Sequence, residues 1–237
     1  MDRFAVLAEI AHQNFEARTK ARDQALAQAR QLTRHAAHAI RAIHRSEEDL
    51  AQEHLGQALL LVESLKADLK AFPDLYFAGY TQDAIKEFAE ASITVALILD
   101  RPMPLPADLA IETASYVNGL AEVTGELRRR CLDILRKGYS TEAERLLTLM
   151  DEIYSLLVTF DYPDAITSGL RRQTDLVRGI VEKTRGDLTL SLRQQQMQDA
   201  IHGLSLQLSI QDAADGQAGL LQEDPGDETD QPGHPGV

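Results

Sequence analysis

Apolar residues recur at spacings of three and four along most of the chain, which is the period of an amphipathic α-helix. No proline interrupts this pattern from Met1 through Phe72, so it predicts one very long helix or two helices stacked end to end. Ser46 is followed by three acidic residues, as in an N-cap with an acidic first turn, and we place a helix boundary there. We expect Pro73 to end the second helix.

The rest of the pattern predicts four more helices. Three prolines between Arg101 and Pro106 exclude a continuous helix there, and Gly138 suits the position just after a helix end. Thr141 and Glu144 have capping-box spacing. The predicted spans are near Thr81 to Leu99, about Ala107 to Lys137, Thr141 onward, and Pro163 to about Leu208. No alternating strand pattern exceeds four residues, so we predict an all-α bundle of six to seven long helices.

The charge of the chain is unevenly distributed. The formal net charge of −13 argues against a polyanionic partner. However, the segment from Gln211 to Val237 holds seven acidic residues and no Lys or Arg, which is more than half of that net charge. Its Gly, Pro and acid content predicts disorder. We therefore divide the chain into an all-α domain, residues 1–208, and an acidic disordered tail, residues 209–237.

Without the tail, the first predicted helix is basic. Residues 1–45 contain eight Arg or Lys and four acids. The cationic positions with spacings of 4, 4, 3 and 4, which we call the basic stripe, are Arg30, Arg34, His38, Arg41 and Arg45. Such a stripe suits contact with a phosphate backbone. Because only 5% of the residues are aromatic, base stacking would contribute little. The alternative is that these cations pair with acids on neighbouring helices or subunits.

Cysteine content and hydropathy indicate the compartment. Cys131 is the one cysteine and lies in an apolar helical pattern, so we expect a buried side chain and no disulfide framework. No stretch approaches the roughly 20 apolar residues that span a bilayer. These features predict a soluble, cytoplasmic protein without a membrane partner.

Two pairs of glutamates are the candidate metal-binding and catalytic residues. Glu87 and Glu90 share a stripe on the third predicted helix, and Glu122 and Glu126 lie one turn apart on the fourth. Each like-charged pair costs a few tenths of a kcal/mol. Two facing carboxylate pairs with no histidine or cysteine nearby form a hard oxygen-donor set that suits Mg²⁺ or Mn²⁺. On the fourth helix alone, a solvated surface remains the alternative for its two glutamates.

Two glycines accompany the second pair. Gly119 and Gly125 each cost about 1 kcal/mol relative to Ala inside a helix. This cost is easier to understand if a strand or a neighbouring helix must approach the backbone there. The glycines therefore favour a packed or substrate-contacting face over an open one.

Other metal sites built on helices require different ligand spacings. A di-iron bundle would place His three residues after a ligating Glu, and none of the four glutamates has one. An all-α metal-dependent nucleotide pyrophosphatase remains open, although its second acidic pair would need a spacing of three rather than four. No P-loop or Gly-x-Ser-x-Gly motif supports another reaction.

The stretches YVNGLAEVTGELRR, from Tyr116, and KEFAEA, from Lys86, resemble the translin and Trax family and are closer to Trax, the catalytic subunit type. The resemblance covers the chain from the first helix to about Leu208. Glu87 and Glu90 match the family's Glu-x-x-Glu, and Glu126 matches the second acid of its Asp-x-x-x-Glu. Glu122 stands where the family has aspartate, so a carboxylate is kept but reaches one methylene further.

The resemblance implies an all-α subunit that assembles into a closed shell, usually an octamer, and cleaves single-stranded RNA inside it with Mg²⁺. Glu87, Glu90, Glu122 and Glu126 would be the metal-binding and catalytic residues, and the basic stripe would contact RNA. The alternative is a non-catalytic oligomer that binds single-stranded RNA or DNA. The assembly would be a homo-oligomer or would include a translin-like partner chain.

Overall fold

The computed structural model describes the backbone of residues 2–220 and the side chains of residues 2–210. This part of the chain contains eight helices joined by turns and loops and no strand, so the predicted all-α class is confirmed. In chain order the helices are α1 (Arg3–His44), α2 (Glu48–Asp68), α3 (Pro73–Tyr76), α4 (Gly79–Ile98), α5 (Thr113–Leu135), α6 (Thr141–Leu157), α7 (Asp164–Thr167) and α8 (Leu170–Leu220).

Helices α1 and α2 form an antiparallel hairpin, so the prediction of one helix or two stacked end to end is wrong. The Gln28 Nε2 atom donates to Ser64 Oγ at 2.8 Å, across the two helices. The boundary predicted at Ser46 is confirmed, but its role differs. Ser46 has a φ of 62°, a left-handed conformation that turns the chain, while Glu47 occupies the N-cap position without a side-chain cap hydrogen bond.

Several other helix ends differ from their predicted positions. Helix α2 ends before Pro73, which begins the four-residue α3. Helix α5 begins at Thr113 rather than about Ala107, and α6 is capped by Ser140, whose side chain accepts from the Glu142 amide. After the short α7, Ser168 and Gly169 both have positive φ and separate it from α8. Gly138 has a φ of 116°, as its predicted position after a helix requires.

Helix α8 extends to Leu220, beyond the end expected near Leu208. The chain divides into two compact units, Met1–Ser191 and Leu192–Val237. The tail predicted to be disordered comprises residues 209–237. The structure places residues 209–220 in α8, whereas residues 221–237 lie outside the described residues. The domain division at residue 208 stays a prediction. No helix in the described range is long and apolar enough to span a membrane.

The core lies within the first unit, where α4 packs against α1, α2 and α5, and α6 packs against α5. The largest fully buried side chains include Leu32, Ile43, Leu65, Ile85, Phe88, Leu120, Leu127, Leu146 and Met150. Cys131 is buried as predicted, and burial raises the pKa of its thiol to about 11. Central packing of α4 and α5 leaves the side chains of the four candidate glutamates partly or fully buried.

Candidate metal centre and nucleic-acid interface

Gly119 lies where α5 meets α4. A Cβ atom at this position would lie 2.7 Å from the Lys86 carbonyl oxygen and 2.9 Å from the Ala89 Cβ atom. Both distances are shorter than van der Waals contact, so only glycine allows the two backbones to come this close. The contact falls between the predicted acidic pairs, which brings Glu87 and Glu90 on α4 opposite Glu122 on α5.

The carboxylates of Glu87, Glu90 and Glu122 form one cluster, in which one oxygen from each lies within 4.8 Å of the others. We call it the carboxylate cluster. Glu90 is its most buried member. Glu122 is only 24% exposed, so the alternative of a solvated surface is wrong for it. A set of three carboxylates from two helices has the oxygen donors that suit Mg²⁺ or Mn²⁺.

The cluster holds more negative charge than its environment readily stabilises. Burial, with the nearby carboxylates of Glu87, Glu122 and Glu126, raises the pKa of Glu90 to about 8. Burial also raises the pKa of Glu87. At neutral pH a proton therefore resides on Glu90, and a divalent cation could replace it.

Lys86 is the cationic neighbour of the cluster. Its ammonium donates to Glu122 Oε1 at 2.7 Å and lies 3.6 Å from Glu87 Oε1. Burial alone lowers the pKa of Lys86, but the carboxylates, Glu122 foremost, outweigh it and raise that pKa. Gln173 on α8 also donates to Glu122 Oε1, at 3.2 Å. Lys86 and Gln173 belong to no recurring pattern, so no sequence signal identifies them as neighbours of the cluster.

Glu126 lies outside this three-carboxylate group. The His44 Nε2 atom, at the end of α1, is 2.5 Å from Glu126 Oε2, and the His44 side chain is only 3% exposed. This hydrogen bond, aided by the charge of Arg129, lowers the pKa of Glu126, so its carboxylate is ionised at neutral pH. The expectation of no histidine near the carboxylates is therefore wrong. No sequence signal links His44 to Glu126, because 82 residues separate them.

Gly125 differs from Gly119. A Cβ atom there would meet nothing within 4 Å. We predicted that both glycines allow a strand or a neighbouring helix to approach the backbone. Within this chain, only Gly119 has such a neighbour. The space beside Gly125 is open. Gly125 directly precedes Glu126 in the sequence.

The arginines of the basic stripe are exposed. Arg30, Arg34, Arg41 and Arg45 form no salt bridge within the described residues, so the alternative of pairing inside the chain does not apply to them there. His38 is exposed and stacks on His54 of α2, with ring centroids 5.0 Å apart. Four exposed guanidinium groups along α1 and its C-cap form a surface suited to phosphate.

Comparison with known proteins places these features in a family. No family model matches the chain. The uncharacterized protein MJ0175 of Methanocaldococcus jannaschii is 33% identical over 190 residues, which cover 79% of this chain and 84% of that protein. The structure of AfC3PO in complex with duplex RNA matches with a TM-score of 0.72 and 33% identity, covering 78% of this chain and 95% of that one.

A second solved structure has the same fold at lower identity. Apo-NeC3PO matches with a TM-score of 0.70 and 19% identity, over 81% of this chain and 98% of that chain. Three observations indicate the same family. They are the resemblance of the sequence to translin and Trax, the all-α fold, and the extent of the AfC3PO match. The chain belongs to the translin/C3PO family.

Proposed function

We propose that this chain is the subunit of an oligomeric, Mg²⁺-dependent endoribonuclease of the Trax type. The observation that carries the proposal is the carboxylate cluster, in which Glu87, Glu90 and Glu122 come within 4.8 Å of one another at the Gly119 contact. Family membership supports an RNA ligand, because AfC3PO was solved with duplex RNA. The sequence predicted single-stranded RNA, so both forms are substrates to test.

Each residue has a distinct part in the proposed reaction. Glu87, Glu90 and Glu122 would hold the divalent cation, which supplies Lewis-acid activation of water and stabilises charge on the phosphoryl oxygens. Glu126 would accept a proton from the attacking water, because its Oε2 is held by His44 and its carboxylate is ionised. Glu90 would be ionised in the metal-bound site, since a carboxylate binds a cation without its proton. The basic stripe would bind the RNA backbone.

Oligomerisation is part of the proposal. A closed shell would bring the carboxylate clusters of several copies to one interior and exclude bulk solvent from them. An octamer, either of this chain alone or with a translin-like partner chain, is the expected form.

The nuclease is tested with labelled single-stranded and duplex RNA, each incubated with the purified protein in Mg²⁺ or in EDTA. We expect cleavage in Mg²⁺ and none in EDTA. Glu90→Gln, which keeps the side-chain size, should abolish cleavage while RNA binding persists. The matched control is Glu63→Gln at an exposed position of α2. Full activity of Glu90→Gln would remove the cluster from the mechanism.

One observation favours a second candidate, an RNA-binding shell without catalysis. The Lys86 ammonium already neutralises Glu122 and approaches Glu87, so lysine could replace the cation permanently. Mg²⁺ titration by calorimetry separates the two candidates. Binding that tightens in Lys86→Gln indicates a metal site in competition with lysine, whereas no binding by either protein supports the shell. Nucleoside triphosphates included in the cleavage assay test the pyrophosphatase alternative.

A further inference from the structure

A second site lies beside the carboxylates. A cavity of about 720 Å³ opens between the turn that joins α1 to α2 and the segment that joins α5 to α6. Four cationic side chains line it: Arg45, Arg130, Arg136 and Lys137. Asp133 is the acid among its described lining residues, and it lies 4.0 Å from Arg136. The cavity, which we call the basic pocket, therefore has a surplus of positive charge and suits an anion.

Arg130 has a guanidinium donor without a hydrogen-bond acceptor among the described residues. Its Nε atom is buried and has no hydrogen-bond partner among the described residues. Its Nη1 donates to the His44 carbonyl oxygen at 3.4 Å, which is long for such a bond. A buried donor without an acceptor is unfavourable. Arg130 also forms no salt bridge within the described residues. An oxyanion in the basic pocket would give its guanidinium a charged partner, and a guanidinium matches phosphate oxygens in a bidentate geometry.

The pocket also connects the two features assigned to RNA. Arg45, which lines the pocket, is the last cation of the basic stripe. His44 lines the pocket as well and bonds to Glu126. Arg130 follows Glu126 by four residues on α5, one helical turn further. A strand that follows the stripe would thus reach the basic pocket next to the carboxylates.

We propose that the basic pocket binds a phosphate group of the RNA strand, close to the bond positioned at the carboxylate cluster. The polymer's identity rests on the proposed function, whereas the anionic chemistry follows from the pocket itself. The phosphate is either an internal backbone phosphate or a 5′-terminal one, and both present anionic non-bridging oxygens to Arg130 and Lys137. Holding it would fix the register of the strand relative to Glu126.

The test measures RNA binding by the full chain in EDTA, where cleavage is absent. Fluorescence anisotropy with a short single-stranded oligoribonucleotide compares Arg130→Gln and Lys137→Gln with the parent. Loss of a charged hydrogen bond should weaken binding on the order of tenfold and lower the slope of log affinity against log salt by about 0.7. Arg178→Gln, which removes an arginine paired with Glu182 on α8, is the matched control and should leave affinity unchanged.

Lys137 is exposed, so Lys137→Gln tests the pocket even if Arg130→Gln impairs folding, which thermal unfolding will reveal. Oligonucleotides with a 5′-phosphate and with a 5′-hydroxyl show whether the bound phosphate is terminal or internal. A loss confined to the phosphorylated one supports a terminal phosphate, and an equal loss for both supports an internal one. Parental affinity and salt slope in both variants would overturn the proposal. Since EDTA excludes catalysis, weakened binding stands even if the parent proves unable to cleave RNA in Mg²⁺.

Discussion

At the residue scale, the four glutamates that the sequence placed together have different environments. Glu90 is the most buried and its pKa is raised to about 8, whereas the His44 hydrogen bond lowers the pKa of Glu126. Pairs of carboxyl groups whose pKa values are driven apart are suited to different roles in one reaction. Glu90 would exchange a proton for a cation, and Glu126, ionised at neutral pH before the reaction, would act as the base.

The raised pKa of Glu90 predicts a pH-dependent stability of the metal-free protein. The folded chain keeps a proton on Glu90 up to about pH 8, whereas the unfolded chain loses it near pH 4.5. Between these values the native state binds more protons, so this group's contribution to the free energy of unfolding falls as pH rises, by at most about 1.4 kcal/mol per pH unit. Urea denaturation in EDTA at a series of pH values from 5 to 9 measures this decrease in the free energy of unfolding.

Glu90→Gln removes this titration and should flatten that part of the pH profile, whereas Glu63→Gln should reproduce the parental curve. A variant profile that falls as steeply as the parent's would show that Glu90 does not carry the raised pKa. Mg²⁺ affinity of the parent should rise over the same interval, because the proton must leave for the cation to bind.

His44 should position Glu126 in the reaction. His44→Ala removes the Nε2 donor and frees the carboxylate, and substitutions of residues that orient a ligand or base lower activity by roughly 10- to 100-fold. His44→Gln can restore an N–H near the same place and should recover part of the loss. The measurement is kcat and KM for RNA cleavage. An equal loss in both variants, with KM unchanged and the fold intact, would contradict a positioning role.

At the element scale, the crossing of α4 and α5 determines where the carboxylates meet. Gly119 lets the two helices approach, and His44 at the end of α1 reaches Glu126 on α5. Helical periodicity located α4 and α5 to within about six residues. It could not indicate that their acidic pairs face each other, because periodicity describes one helix at a time.

The two helical glycines should respond oppositely to alanine. Gly119→Ala forces the new methyl group against the Lys86 carbonyl and Ala89, so we expect a loss of about 1–3 kcal/mol in unfolding free energy and weaker Mg²⁺ binding. Gly125→Ala has open space and should stabilise the chain by about 0.4–1 kcal/mol through a less flexible unfolded state. Chemical denaturation of both variants checks the pair. A stable Gly119→Ala with parental metal affinity would show that α4 and α5 can separate freely.

At the scale of the whole molecule, two long helices carry apolar stripes on exposed positions. On α1 the stripe consists of Phe4, Leu7 and Phe15, and on α8 it consists of Leu190, Met197, Ile201, Leu204 and Leu208. Both follow helical spacing. Contiguous exposed apolar residues of this kind mark protein contact surfaces, which agrees with the proposed oligomer.

We expect these stripes to be covered by other copies in solution. Ile201→Glu with Leu208→Glu should reduce the molar mass measured by light scattering, because buried charges disfavour the contact. Gln198→Glu with Gln207→Glu makes the same change in net charge outside the stripe and should leave the mass unchanged. Identical masses for both double variants would exclude the α8 stripe from the assembly.

The sequence by itself determined the helical class, the approximate positions of the main helices, the four glutamates, the basic stripe and the family resemblance, because periodicity, caps and short motifs are local properties of a chain. Tertiary structure alone decided that α1 and α2 fold back on each other, that three glutamates cluster while Glu126 bonds to His44, and that Gly119 is a contact but Gly125 is not. These features depend on contacts between residues distant in sequence, and the energy of such contacts arises from packing, burial and charge in three dimensions, which no local pattern encodes.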